Sequence, residues 1–344
     1  MHNNNPNAVY LGIDVHKKTY SITAICQGCV IKKATMCADP KVLLAFIKNH
    51  YSKQQIYTAY EAGFSGFNLH RYLLTNGISN IVIHPASVEV AARERVKNDK
   101  RDSEKIAEQL SAGRLKAIHV PSLEREQFRT ITRLREFYIK QRKRVGNKLK
   151  SLMHQFGLIP YHQNRKVSRN FIQDILKVHI DGELGFCIKE HSTTWIYFND
   201  KVKEVEKKIK TQAREDNTLE RIYRKHKGIG VISARILANE LEDLSQFSNE
   251  RQLFSYIGFT PCEYSSGEHT RKGHISRQGK PILRKTLIEA SWRAIRLNPE
   301  LKDTFERISK NTGSKKKAII GVARRMIGHI RASFQNERQH AVNL

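Results

Sequence analysis

The fold of this chain is decided by residues 9–16, which read VYLGIDVH. Apart from Gly12 and Asp14, the run Val9–Val15 is apolar and rich in β-branched and aromatic residues, as is typical of a buried strand. An ionised carboxylate removed from water is costly unless it is paired or bound to a metal. Asp14 therefore predicts a functional site on this strand.

Three further carboxylates can join Asp14. Glu61 follows the apolar run Ile56–Tyr60, at the carboxyl end of a predicted strand, where open α/β sheets hold their ligands. Asp99 and Asp102 are three residues apart, a spacing that puts two side chains on one face of a helix. Four oxygen ligands of this kind predict a magnesium site, with manganese as an alternative ion.

The composition points to a nucleic-acid partner. The chain has 344 residues with 39% hydrophobic content, which predicts two or three globular domains. Its formal net charge of +28 and its pI near 10.0 favour a polyanionic partner, DNA or RNA, although a purely structural binder would share this charge. No run of eighteen apolar residues and no apolar signal segment occurs, so we expect a cytosolic protein without membrane insertion.

Five scattered cysteines indicate reduced thiols and no disulfide framework. The pair Cys26 and Cys29 has no second pair at zinc-binding spacing, so Gln27-Gly28 is interpreted as a hairpin turn.

Strand-like and helix-like segments alternate in the N-terminal part and predict an α/β sheet of mixed strand direction. The predicted strands are Tyr10–Val15, Ser21–Ile25, Val30–Met36, Ile56–Tyr60 and Asn80–His84, and the first two predicted helices are Val42–Asn49 and Phe67–Thr75. A further helical stretch is predicted over Ala86–Leu115, interrupted by the charged patch Glu94–Asp102 and with apolar residues at helical spacing in Ser103–Leu110.

The middle of the chain predicts two long amphipathic helices, Leu123–Phe156 and Trp195–Ala213, on a basic background. They could pair as an antiparallel coiled coil, within one chain or in a dimer, or form a solvated helical hairpin. The segment 157–192 gives no clear pattern. We therefore expect three domains, residues 1–120, 121–216 and 217–344.

In the C-terminal part, Gly228-Ile229-Gly230 precedes an apolar helix, a sequence form typical of a helix–hairpin–helix. Lys227, Gly228 and Gly230 are candidate contacts to a phosphate backbone, because glycine turns and helix N-termini bind anions without reading bases. An ordinary turn explains the same residues equally well. Helices are predicted over Pro281–Arg293 and Lys315–Phe334.

The stretch 254–280 contains a second candidate site. Ser265-Ser266-Gly267 is followed by three basic residues that could offset charge on a scissile phosphate, Arg271, Lys272 and Arg277. A polar glycine loop is the alternative interpretation, because serine and glycine are ordinary turn residues.

Taken in order, these motifs resemble the DEDD transposases of the insertion-sequence IS110 type, also called bridge-RNA-guided recombinases. The motifs are Gly12-Ile13-Asp14, Tyr60-Glu61-Ala62-Gly63, Asn98-Asp99-Lys100-Arg101-Asp102, Gly228-Ile229-Gly230, Gly258-Phe259-Thr260-Pro261 and Ser265-Ser266-Gly267. The resemblance implies a RuvC-like (ribonuclease-H-fold) N-terminal domain, a helical coiled-coil middle, and a mostly helical C-terminal transposase domain. Asp14, Glu61, Asp99 and Asp102 match the four carboxylates. Ser266 matches the serine that becomes joined to DNA. Because Ser265 is its direct neighbour, the assignment of the nucleophile to Ser266 or Ser265 stays open.

The resemblance implies a recombinase that cuts and rejoins double-stranded DNA at its element ends and target, with carboxylate-bound magnesium and a serine nucleophile. A structured non-coding RNA would select the sites by base pairing. Joining two duplexes requires at least a homodimer, and a homotetramer fits equally. Two other functions stay open, a RuvC-like junction nuclease that uses water and a non-catalytic RNA- or DNA-binding scaffold.

Overall fold

The structure is a computed structural model that describes residues 7–88, 99–160, 162, 165–215, 218–266 and 269–342. The chain divides into two compact units, Met1–Pro121 and Ser122–Leu344. The expected further division at residues 216 and 217 stays a prediction.

The first unit is an α/β sandwich. Its elements are β1 (Val9–Val15), β2 (Thr19–Cys26), β3 (Cys29–Cys37), α1 (Pro40–Tyr51), β4 (Ile56–Glu61), α2 (Asn68–Thr75), β5 (Ser79–Ile83), a 3-10 turn (Pro85–Ser87) and α3 (Asp99–Ser111). The strand order is β3-β2-β1-β4-β5, in which β1, β4 and β5 are parallel while β2 is antiparallel to both β1 and β3. The predicted mixed sheet is confirmed.

Alternate residues of β1 pack on opposite faces of the sheet. Leu11 and Ile13 belong to the core that includes residues of α1 and α2. Tyr10 packs with residues of α3 on the other face of the sheet. Gly12 lies on the same face as Tyr10, because residues two apart in a strand face the same side. An ideal Cβ at Gly12 would lie 2.1 Å from the backbone oxygen of Ser103, so only glycine admits α3 this close.

The turn between β2 and β3 confirms the interpretation of the first cysteine pair. Cys26 and Cys29 face each other across the antiparallel ladder. Gln27 and Gly28 between them have φ values of 51° and 77°, as a tight two-residue hairpin turn requires.

The second unit is mostly helical. Its elements are α4 (Leu123–Gln155), α5 (Arg169–Lys177), α6 (Gly182–Glu215), α7 (Thr218–Arg224), α8 (Val231–Leu241), α9 (Glu250–Ile257), β6 (Pro261–Ser266), β7 (His269–Ile275), α10 (Pro281–Ala294), α11 (Pro299–Thr312) and α12 (Lys315–Val342). The core of its C-terminal part gathers apolar residues from α7 to α12.

Helices α4 and α6 pair within the chain. The Nη2 atom of Arg135 lies 2.6 Å from Oε1 of Glu206, and Nη1 of Arg142 donates to Asn199 at 2.9 Å. Partners later in α4 are earlier in α6, so the two helices run antiparallel. The predicted pairing is therefore met inside one chain. In the described part of the chain, none of the helices has the length and apolar character needed to cross a bilayer.

Candidate functional site

Two of the four predicted carboxylates are neighbours on adjacent strands. In the parallel pairing of β1 and β4, Ile13 lies opposite Tyr60. Asp14 and Glu61 follow these two residues directly, so they occupy matching positions at the carboxyl edge of the sheet. Matching positions on neighbouring strands face the same side, here the α3 face that Gly12 shares.

Helix α3, which contains the other two predicted carboxylates, packs on the same face of the sheet. Ser103 lies against Gly12, and its Oγ atom is 2.9 Å from Oγ1 of Thr23 on β2. Leu110, near the other end of the helix, packs with Tyr10. The first turn of α3, with Asp99 and Asp102, therefore lies toward the carboxyl ends of β1 and β4. Only the backbone of Asp99 is described.

Asp14 is partly exposed and has a histidine neighbour at the sheet edge. Asp14 is 21% exposed, and its Oδ2 atom lies 3.0 Å from Nε2 of His16. Among the residues whose side chains are described, no three acidic, histidine or cysteine side chains gather closely enough to form a ready metal cluster. Because the side chain of Asp99 is outside that set, the predicted four-ligand arrangement stays a prediction. The donors, carboxylate oxygens at one sheet edge, are the type that magnesium prefers.

The loop after Glu61 is held by a residue that the sequence analysis did not single out. Tyr60 is fully buried, its hydroxyl donates to the Gly66 carbonyl at 3.0 Å, and it accepts from the His70 amide at 3.3 Å. The Ala62 amide donates to Ile83 at 2.8 Å and continues the pairing of β4 with β5. These bonds fix the backbone on both sides of Glu61. A tyrosine beside a strand-end carboxylate gives no sequence signal for this role.

The predicted serine lies on a β-hairpin. Ser266 is the last residue of β6 and faces His269 of β7, while Ser265 faces Thr270. Residues 267 and 268 lie outside the described set, as do the side chains of residues 263–272. The roles of Ser265, Ser266, Arg271 and Lys272 therefore stay predictions. The alternative interpretation of this stretch as a polar glycine loop is wrong for the two serines, because Ser265 and Ser266 belong to a strand that pairs antiparallel with β7.

The base of this hairpin is fixed by close backbone packing. Gly258, which ends α9, has a φ of 80°, and an ideal Cβ there would lie 2.8 Å from the Gly279 amide nitrogen. The Arg284 guanidinium donates to the carbonyls of Ile257 and Gly279 at 2.9 and 2.8 Å. Arg277, a predicted phosphate contact, is exposed and has a φ of 58°.

A buried carboxylate ties the hairpin base to two helices. Glu240 of α8 is fully buried and accepts from Nζ of Lys280 at 2.8 Å and from Nε of Arg133 on α4 at 2.9 Å. Burial by itself raises the pKa of Glu240, but the Arg133 hydrogen bond and the Lys280 charge outweigh it, and the pKa lies below its ordinary value. Glu240 therefore stays ionised, and its position in an apolar helix gave no separate signal in the sequence.

Helices α7 and α8 with their turn confirm the predicted helix–hairpin–helix form. Gly228 has a φ of 90°, and an ideal Cβ would lie 2.4 Å from the Ala290 carbonyl oxygen, so this glycine is required for packing on α10. Gly230 precedes α8 without a side-chain cap and with open space around its Cα. Lys227 is exposed. Gly230 and Lys227 are thus accessible to a phosphate, while Gly228 shapes the turn.

Two family models match separate parts of the chain. A transposase family model of the IS110 DEDD kind matches residues 11–157, and the model described as Transposase IS116/IS110/IS902 family matches residues 220–306. The y4rJ protein of Sinorhizobium fredii is 27% identical over 93% of this chain and 90% of its own length. The y4qE protein of the same organism is 27% identical over 70% of this chain, and that match spans 58% of y4qE.

A transposase for insertion sequence element IS1533 of Leptospira borgpetersenii is 25% identical over 83% of this chain and 84% of its own length. The first family match contains Asp14, Glu61, Asp99 and Asp102, and the second contains the helix–hairpin–helix and the serine hairpin. From these matches, the chain belongs to the IS116/IS110/IS902 family of transposases, with a DEDD domain followed by the second transposase domain.

Proposed function

We propose that this protein is the recombinase of an insertion sequence, which cuts and rejoins double-stranded DNA through a magnesium-binding carboxylate site and a serine nucleophile. The observation that supports the proposal is the matching position of Asp14 and Glu61 at the carboxyl edge of the sheet, toward which the first turn of α3 lies. A local group of carboxylates in a chain of net charge +28 is explained chemically if these residues bind cations.

Asp14, Glu61, Asp99 and Asp102 would hold the ion, with manganese as a substitute for magnesium. A bound divalent ion would polarise the scissile phosphate and stabilise charge on its oxygens. The Ser266 hydroxyl attacks the phosphorus, and the bond from phosphorus to the leaving sugar oxygen breaks. The strand is then held as a serine phosphodiester, from which a sugar hydroxyl displaces the serine to rejoin DNA.

The partners follow from this chemistry and from the resemblance. The protein would hold DNA largely through its phosphate backbone, with Lys227, Gly228, Gly230, Arg271, Lys272 and Arg277 as the proposed contacts. A structured non-coding RNA would choose the donor and target sites by base pairing. Two duplexes require at least two copies of the chain, in a homodimer or a homotetramer.

A cleavage assay on element-end DNA tests the proposal, run with and without magnesium and the element's own non-coding RNA. We expect Asp14→Asn and Asp102→Asn each to abolish cleavage while binding is retained, because they remove ion ligands and no phosphate contact. Asp303→Asn makes the same chemical change on the exposed surface of α11 and should leave cleavage unchanged. Binding lost in parallel with cleavage, or cleavage by Asp14→Asn, would contradict the carboxylate site.

The same assay separates the other two functions. A RuvC-like junction nuclease would cleave with Ser266 replaced by alanine, since water would be its nucleophile. A non-catalytic scaffold would cleave under none of the conditions. Full recombination without RNA would remove RNA guidance and leave the recombinase chemistry in place.

A further inference from the structure

A basic cavity of about 690 Å³ lies between α4, α6 and the segment 165–169 that leads into α5. Carboxylates are missing from the described residues that line it. Its lining includes six cationic side chains, Arg142, Lys143, Lys150, Arg165, Lys166 and Arg169. This cavity belongs to neither the carboxylate edge nor the serine hairpin.

A glycine in the middle of α4, Gly146, lies in the wall of the cavity. An ideal Cβ at Gly146 would lie 3.1 Å from Nε1 of Trp195 and 3.4 Å from Cγ1 of Val167. Because Gly146 has no side chain, the indole of Trp195 and the segment 165–169 can pack closely against α4 at this point. The cavity lies beside this contact. Glycine inside a helix is less favourable than alanine, so this packing has a thermodynamic cost.

Two of the six cationic side chains that line the cavity form ion pairs with carboxylates outside the lining. Nη1 of Arg169 lies 2.8 Å from Asp200, and Nη2 of Arg165 lies 3.5 Å from Asp174. In the described part of the chain, Lys143 and Lys166 have no acidic group within ion-pair distance. Lys143 and Lys166 therefore add positive charge to a concave space whose described lining contains no carboxylate. Such a cleft concentrates anions.

The shape selects among polyanions. A B-form duplex presents a convex, regular backbone, which cannot enter a cavity of this size, whereas a single strand can turn its backbone inward and extrude a nucleotide. Asn147, Asn199 and Ser168 also line the space and offer hydrogen bonds to a base or sugar. We propose that this cavity binds a sharply turned single strand of nucleic acid through its phosphates. The inference rests on the proposed function only in requiring a nucleic-acid partner.

The role of the cavity charges is tested by measuring the binding of labelled oligonucleotides. The oligonucleotides are about 12 nucleotides long, a length within the usual range for single-strand sites. The probes are single-stranded RNA, single-stranded DNA and duplex DNA, each titrated on the full chain at several salt concentrations. We expect the double variant Lys143→Gln/Lys166→Gln to lose about tenfold in single-strand affinity and its salt slope to fall by about 1.4. The loss for the duplex should be much smaller. Lys148→Gln/Lys189→Gln removes the same charge from exposed positions on α4 and α6 outside the cavity, and should change affinity less than about threefold.

Asn147→Trp tests the shape, because it fills the exposed side of the cavity at constant charge. We expect it to lower single-strand affinity as well. A loss with both RNA and DNA strands, or with RNA alone, supports the proposal and identifies the strand. Equal losses in the cavity and control variants, an unchanged affinity in Asn147→Trp, or a loss confined to the duplex would overturn it. DNA cleavage that depends on Asp14 would still stand in that case, so the two proposals fail separately.

Discussion

The carboxylate edge and the serine hairpin are positioned in different ways. Asp14 and Glu61 follow paired residues of two buried parallel strands, so the register of the sheet alone aligns them. Ser266 ends the first strand of a two-stranded hairpin, whose base is held by glycine packing and by the Lys280–Glu240 ion pair. Apolar packing therefore determines the first site, while a polar junction supports the second. Substitutions near the carboxylate edge should therefore change stability through steric fit, and substitutions near the serine hairpin should change it through charge.

The largest effect should come from closing the gap between β1 and α3. Gly12→Ala puts a methyl group where an ideal Cβ lies 2.1 Å from the Ser103 backbone oxygen and 2.4 Å from the Ala107 amide nitrogen. Because both obstacles are backbone atoms, α3 must move, and we expect a loss of about 3 kcal/mol in unfolding free energy. Chemical denaturation measures it. Gly63→Ala, where the nearest neighbour is 3.9 Å away, should stay within about 0.5 kcal/mol. Equal effects at both positions would show that α3 does not depend on close contact with β1.

An intermediate effect should follow from loss of the charge at the polar junction. Glu240→Gln leaves Arg133 and Lys280 without their shared carboxylate. Breaking a buried ion pair is strongly destabilising, but Arg133 is 56% exposed, so we expect a loss of about 2 kcal/mol in unfolding free energy. Glu204→Gln, which disrupts the exposed pair with Lys201, should leave the unfolding free energy nearly unchanged. If Glu240→Gln were as stable as the parent, the junction would not support the hairpin base.

The smallest effect should be an acid sensitivity near the helix–hairpin–helix. Burial, followed by the charges of His329 and Lys225, lowers the pKa of His226 from 6.5 to about 4. As the pH falls from 6.5 toward 4, the unfolded chain takes up a proton that the folded chain does not, so stability falls. Between pH 7 and pH 5 the parent should lose about 1 kcal/mol more than His226→Gln, measured by denaturation at both pH values. His340→Gln, at an exposed position, should behave like the parent. An identical pH dependence for parent and His226→Gln would contradict the burial argument.

Much of the first unit could be predicted because its strands are buried and bounded by turns. The five strands lie within one or two residues of their predicted limits, and the Gln27-Gly28 turn has its expected conformation. The matching positions of Asp14 and Glu61 also followed from the predicted strand ends. The contact that requires Gly12 could not be predicted, since it depends on where α3 packs.

The second unit was harder to predict because tertiary contacts determine several of its elements. Helix α6 begins at Gly182, well before the predicted Trp195, and its first half contains Gly185 and a Ser-Thr-Thr run of low helix propensity. Ile188 and Trp195 are buried in the core shared with α4 and α5, which stabilises this part of the helix. The pairing of β6 with β7 was missed because its polar sequence has no apolar alternation. Ser168, which caps α5 by accepting from the Phe171 amide, was an available signal for that helix.

The central claim, that the carboxylates and Ser266 act in one cleavage reaction, is tested most directly by trapping the covalent intermediate. The parent is incubated with magnesium, RNA and a nicked suicide DNA substrate, and the adduct is mapped by peptide mass spectrometry. The account predicts an adduct on Ser266 that persists in Ser265→Ala and is absent from Ser266→Ala and Asp14→Asn. An adduct on Ser265 or Tyr264, or full recombination by Ser266→Ala, would contradict it.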